Sequence, residues 1–258
     1  MRLMKRILSA AAVLALSASL LVGCSSGTAS SVPVSASSAA ESTVSSVEET
    51  ASSAVEENEA AAAQLLNDLT GSYQELWPVI LADEYKQTWL DDCTALVGEE
   101  NAQAAFEKLS SMVTSDVYGE DAVEAYANGG GAYFCGFTNS LATLTFDGET
   151  STISGTDKDG NVLFSHTYHY IGMEPVHGLY EFESDDADSG EFTYFFLAPD
   201  TSAETYHIEF RYGSDAEALS QYDAGEYAYW VASGISTDCD QTMIDNCIEL
   251  FCTENLAG

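Results

Sequence analysis

Residues 141–171 read LATLTFDGETSTISGTDKDGNVLFSHTYHYI. Over 141–147 the hydropathy alternates. Ala142, Leu144 and Phe146 share one side, while Leu141, Thr143, Thr145 and Asp147 share the other. A period of two is the mark of a half-buried strand. Gly148 ends it. A short strand over 151–154 follows, and a longer one over 162–171 comes after the turn Asp157-Lys158-Asp159-Gly160-Asn161. The aspartates of that turn suggest calcium, but no glutamate follows at an EF-hand position, so the segment reads as a hairpin turn.

The pattern continues outward. Further strands are expected over 178–183, 191–197 and 206–212, with Pro199-Asp200 opening the turn between the last two. Residues 227–233 are apolar and aromatic and read as a final strand. Helical stretches are missing between these strands, which excludes a βαβ arrangement. Short strands in series predict an antiparallel barrel or a strongly curled sheet.

Before the strands, residues 62–127 read as helical. Leu65, Leu66 and Leu69 begin an apolar stripe; Gly71 breaks it, and Tyr73, Leu76, Trp77 and Ile80 resume it around Pro78. Residues 83–96 carry Tyr85, Trp89, Leu90 and Cys93. Residues 99–113 carry Ala102, Ala105, Phe106, Leu109, Met112 and Val113, an amphipathic set. A short helix over 121–127 precedes the stop Asn128-Gly129-Gly130-Gly131. After the strands, Thr237 is the expected N-cap of a terminal helix, with Asp240 near its first turn. Met243, Ile244, Cys247, Ile248 and Phe251 form its buried face. The expected class is mainly β with flanking α.

The N-terminus reads as an address. Arg2, Lys5 and Arg6 precede an uncharged apolar run from Ile7 to Val22, a signal-peptide pattern. Leu21-Val22-Gly23-Cys24 resembles the lipobox of bacterial lipoproteins, in which the cysteine is lipidated and becomes the first mature residue. Residues 1–23 are then a lipoprotein signal peptide. Residues 24–60 are a lipidated Cys24 and a Ser/Ala/Glu tether without Lys, Arg or aromatics. Residues 61–258 are the folded domain. The expected location is the extracytoplasmic face of the cell membrane, held by palmitate-type acyl chains.

The chain of 258 residues has 7 Lys and Arg against 42 Asp and Glu, a formal charge of -35. Three of the cations lie in the first six residues, so cleavage leaves four and a charge of -38. That excludes nucleic acid as a partner, because phosphate binding needs basic residues. A bound cation, or a counterion-rich surface exposed to salt, fits that balance better.

Chemistry rests on few residues. The four histidines are His166, His169, His177 and His207, three of them within twelve residues. On the strand Tyr206–Tyr212, His207, Glu209 and Arg211 share one face; Tyr206, Ile208, Phe210 and Tyr212 share the other. The charged face is either solvated or lines a polar cavity. His166 and His169, three apart, fall on opposite faces of a regular strand, so at most one can join His207 unless a bulge intervenes. His177 sits in a loop. Beyond Cys24 there are five cysteines: Cys93, Cys135, Cys239, Cys247 and Cys252. Buried apolar cysteines are one reading. If bridges form, one from the terminal segment to Cys93 or Cys135 is favoured over pairs within it. There is no CxxC, no G-x-S-x-G and no Walker A, and no turnover is expected.

Several stretches resemble the ZinT/YodA family, exported zinc- and cadmium-binding proteins also found fused to zinc-uptake lipoproteins. They are Leu69-Thr70-Gly71-Ser72-Tyr73, Gly190–Pro199 with its Ala-Pro ending, and Tyr206–Asp215, where the family has His-x-His and then an aromatic, Gly and an acidic turn. The resemblance covers roughly residues 65–250. It implies a lipocalin-like (calycin) antiparallel barrel with flanking helices and a zinc site of three histidines at one end. The second histidine of His-x-His falls on His207. The first falls on Thr205 or Glu204, and the one before Ala-Pro falls on Phe195. Two of the three ligands are therefore missing. His166 or His169 could replace one, and Glu204 or Glu209 could supply an oxygen. The resemblance implies divalent metal binding, with zinc as the ion, His207 as the ligand carried over and a zinc-uptake transporter component as partner; His166 and His169 are the candidate replacement ligands. The alternative is a module of the same fold that binds another ligand or is structural.

Overall fold

The computed structural model describes residues 57–128, 131–198 and 207–256. The signal segment, Cys24, most of the tether, Glu204 and Thr205 lie outside the described residues.

Eight strands run in sequence order as a closed antiparallel barrel: β1 (Gly71–Glu75), β2 (Thr143–Asp147), β3 (Thr152–Thr156), β4 (Val162–Met173), β5 (Tyr180–Ser184), β6 (Tyr194–Leu197), β7 (His207–Gly213) and β8 (Ala232–Ser236). Each pairs with the next, and β1 pairs with β8 to close the ring. The alternation of the sequence is what lets the sheet close. In β2, Leu144 and Phe146 are buried, Thr143 and Thr145 are half-buried, and Asp147 is exposed. This is the lipocalin-like barrel that the strand pattern and the family resemblance implied.

Helical residues 57–68 (α1) lead into β1. Between β1 and β2 the chain inserts α2 (Leu76–Ile80), α3 (Lys86–Val97), α4 (Glu99–Ser111) and α5 (Glu120–Ala127). A short α6 (Ala216–Leu219) follows β7, and α7 (Gln241–Leu256) follows β8. Asp215 caps α6 by accepting from the Glu217 and Ala218 N–H groups.

Two apolar clusters result. The barrel interior is packed with rings, including Tyr73, Phe146, Phe164, Tyr168, Phe182, Phe195, Phe210, Tyr212 and Trp230. The second lies between the barrel wall and the helices, with Trp77, Ile80, Trp89, Cys93, Ile235, Ile244, Cys247 and Cys252. Trp89 is fully buried there and its indole N–H donates to the Ile80 carbonyl at 2.7 Å. That bond satisfies the one polar atom of a side chain whose burial stabilises by about 2–3 kcal/mol.

Three sequence expectations move. Tyr73 belongs to a strand, not a resumed helix: Gly71–Glu75 pairs on both edges and completes the ring. The last strand is Ala232–Ser236, not 227–233. Tyr229 has φ 57, a left-handed conformation that interrupts an extended run, and its carbonyl accepts from Phe134 instead. Thr237 does not cap α7. Its N–H donates to Ser72 O at 2.8 Å, while Asp240 Oδ1 accepts from Met243 N–H at 3.0 Å.

Candidate metal-binding residues

β7 sorts its side chains as its alternation requires. Ile208, Phe210 and Tyr212 enter the barrel. His207, Glu209 and Arg211 take the outer face. That face is closed at its Arg211 end and half-buried at His207 and Glu209. Arg211 is fully buried. Its guanidinium donates to the carbonyls of Leu219, Gln221 and Tyr227 and lies 4.2 Å from the Tyr222 ring centroid. Desolvation lowers its pKa, but the carbonyls at the end of α6 and the π-face stabilise the cation there.

His207 pairs in register with Ile235, a member of the outer cluster with Ile244, Cys247 and Ile248 of α7. Desolvation pushes its pKa down to about 4. At neutral pH the ring is therefore uncharged, the form that can donate a lone pair to a metal.

The two histidines of β4 split across the wall, as their spacing dictates. His166 is on the inward side, next to Phe164, and its Nδ1 lies 2.8 Å from Asp186 Oδ2. His169 is on the outer side, half exposed. Its Nδ1 lies 2.7 Å from Asp185 Oδ1, and its Nε2 lies 4.0 Å from Glu183 Oε2. Both aspartates come from the connection after β5. No reading of the sequence singled them out; the only available signal was the run Ser184-Asp185-Asp186-Ala187-Asp188 directly after a strand.

The structure does not bring His207 together with His166 or His169. β4 and β7 are separated by β5 and β6. Three strand steps are roughly 14 Å along the wall, whereas donors on one zinc ion lie about 3–4 Å apart. Among the described residues no three His, Cys, Asp or Glu side chains converge on a common point. Phe195, on the position of the family's histidine before Ala-Pro, is fully buried in the barrel. Its centroid lies 5.4 Å from those of both Tyr168 and Tyr212.

His177 lies in the loop after β4, as expected. Glu174, which the sequence did not advertise, is fully buried beside it. Its carboxylate accepts from Val176 N–H at 2.9 Å and His177 N–H at 2.5 Å, and lies 3.6 Å from His177 Nδ1. Burial works against the charge, but the His177 imidazole and these N–H groups outweigh it and hold the carboxyl below its usual range.

No family model matches the chain, and no curated protein matches it in sequence. Among solved structures it is similar to the Zn(II)-bound ZinT-like domain of Streptococcus pneumoniae AdcA. The identity is 15% and the TM-score 0.45, over 71% of this chain and 89% of that one. It is also similar to Zn(II)-bound AdcA from the same organism, at 14% identity and a TM-score of 0.42. The match covers 72% of this chain and 35% of AdcA, so the chain spans about a third of that protein.

Proposed function

We propose that this domain is an extracytoplasmic binding module, tethered through Cys24, that captures a divalent cation and passes it to an uptake system, with zinc as the ion. The observation that carries this reading is the pairing of both β4 imidazoles with carboxylates, His166 with Asp186 and His169 with Asp185. Each pair offers zinc a nitrogen and an oxygen. A four-coordinate ion on two protein donors keeps two positions for water or for a recipient's ligands, which suits transfer better than storage. His207, neutral and remote from both pairs, is a separate donor position. The negative surface concentrates cations around the two exposed pairs.

A second reading has its own observation. Phe195 and its neighbouring rings fill the barrel where the family resemblance places a ligand, which favours a module of this fold without the metal. Calorimetric titration of the full chain with zinc chloride separates the two. The metal reading expects binding that survives high salt and weakens about tenfold or more in His166→Ala or His169→Ala. Uptake that vanishes with salt and ignores both substitutions would overturn it.

A further inference from the structure

Cys93 on α3 and Cys252 on α7 are 159 residues apart in sequence, yet their Sγ atoms lie 3.9 Å apart. Both side chains are fully buried. The contact is locked from both sides. Trp89, one turn before Cys93, meets the Phe251 ring edge-on at 5.8 Å, and Phe251 also meets Trp77 at 4.6 Å. Thr88 Oγ1 reaches Asp245 Oδ1 at 3.5 Å. The helices thus already present the two cysteines to one another. A disulfide needs sulfurs about 2.05 Å apart, so the two sulfurs must close by roughly 2 Å from this contact.

We propose that Cys93 and Cys252 are a disulfide pair, a covalent staple between the helical insert and the terminal helix. The proposal rests on the extracytoplasmic reading, because such bonds persist in oxidising compartments. The chemistry balances through exchange with a small or protein disulfide. One cysteine thiolate attacks the donor disulfide, giving a mixed disulfide and releasing one donor thiol. The second cysteine thiolate then displaces the other donor thiol and closes the Cys93–Cys252 bond. The chain loses two protons and two electrons, and the donor is reduced to two thiols. Desolvation raises the pKa of both thiols in the folded core, so exchange is faster while the chain is still folding and the thiols are exposed.

The test refolds the reduced full chain with glutathione disulfide or with dithiothreitol, alkylates free thiols under denaturant, and maps the peptides by mass. The expected result is a Cys93–Cys252 cross-linked peptide two hydrogens lighter than its reduced parts. The thermal midpoint should be about 5–10 °C above that of the dithiothreitol sample. In Cys252→Ala the cross-link and the dependence on redox conditions should both disappear. Free, alkylated Cys93 and Cys252 after oxidative refolding, or Cys93 joined to another cysteine, would overturn the pairing. Because the oxidant is supplied, the result does not depend on where the chain resides. The compartment is tested separately, by whether protein taken from intact cells is labelled by a thiol reagent that cannot cross the membrane after reduction.

Discussion

Tyr212 and Thr138 are joined by three hydrogen bonds through one hydroxyl. The Thr138 N–H and Oγ1 donate to Tyr212 Oη at 2.6 and 3.0 Å, and Tyr212 Oη donates to the Thr138 carbonyl at 3.0 Å. Tyr212 is fully buried, so this hydroxyl is the polar end of a core side chain. It anchors the connection that carries Phe137 into the interior, where Phe137 meets Phe210 at 5.4 Å. Tyr212→Phe keeps the ring and leaves three Thr138 groups without this partner. The expected cost is about 1–3 kcal/mol in urea unfolding. A loss of a few tenths would show that water replaces the hydroxyl freely.

Phe195 tests what the barrel interior is for. Its ring lies among Phe164, Tyr168, Phe210 and Tyr212. Phe195→Ala removes a large side chain from a packed site and should cost about 3–5 kcal/mol. Phe195→His should also destabilise, because an imidazole there has aromatic neighbours. It should not raise zinc affinity, since His166 and His207 are not its companions. A measured gain in affinity would show that the barrel end can still assemble the resembled site.

The fold was largely legible because alternation is written locally. Leu144 and Phe146 against Thr143 and Thr145 fix a face whatever surrounds them. Gly71–Glu75 was not legible: five residues next to an apolar helical stripe carry too little periodicity, and only pairing with β2 and β8 makes them a strand. The site was legible in parity and not in surroundings. The opposite faces of His166 and His169, and the shared face of His207, Glu209 and Arg211, follow from a period of two. What covers β7, and which aspartates meet the β4 histidines, depends on residues brought in by chain topology. Asp186 is twenty residues from His166, and Cys247, in the cluster with Ile235, comes from a helix that follows β8 in the chain.

Gly148 marks where α1 docks on the turn after β2. A Cβ there would lie 2.4 Å from Asn67 Cα and 2.6 Å from the Leu66 carbonyl oxygen, all backbone atoms that cannot rotate away. The Gly148 N–H also donates to Thr70 Oγ1 at 3.0 Å. Gly148→Ala should therefore push α1 off the barrel end and cost about 1–3 kcal/mol. Hydrogen exchange should speed up in residues 57–68 and leave β4–β7 unchanged. Uniform exchange with an unaltered unfolding midpoint would show that the helix adjusts without loss.

Acid should destabilise the domain in two separable stages. The folded pKa of His207 is about 4, against about 6.5 for an unfolded histidine. Below pH 6.5 the unfolded chain takes up a proton that the folded one refuses, so stability falls as pH drops from about 7 toward 4. Desolvation of one ring sets the size of this loss at about 1–3 kcal/mol. Glu174 acts in the same direction but lower on the scale. Its folded pKa is below its unfolded value, so its contribution is present above the ordinary carboxylate range and is lost as pH falls through the folded value. Urea midpoints measured between pH 7.5 and 3 should therefore decline first through the histidine range and then more steeply. His207→Gln should flatten the upper limb and leave the lower one, while Glu174→Gln should do the reverse. A wild-type profile level from pH 7 to 5 would mean that the His207 ring ionises freely in the folded barrel.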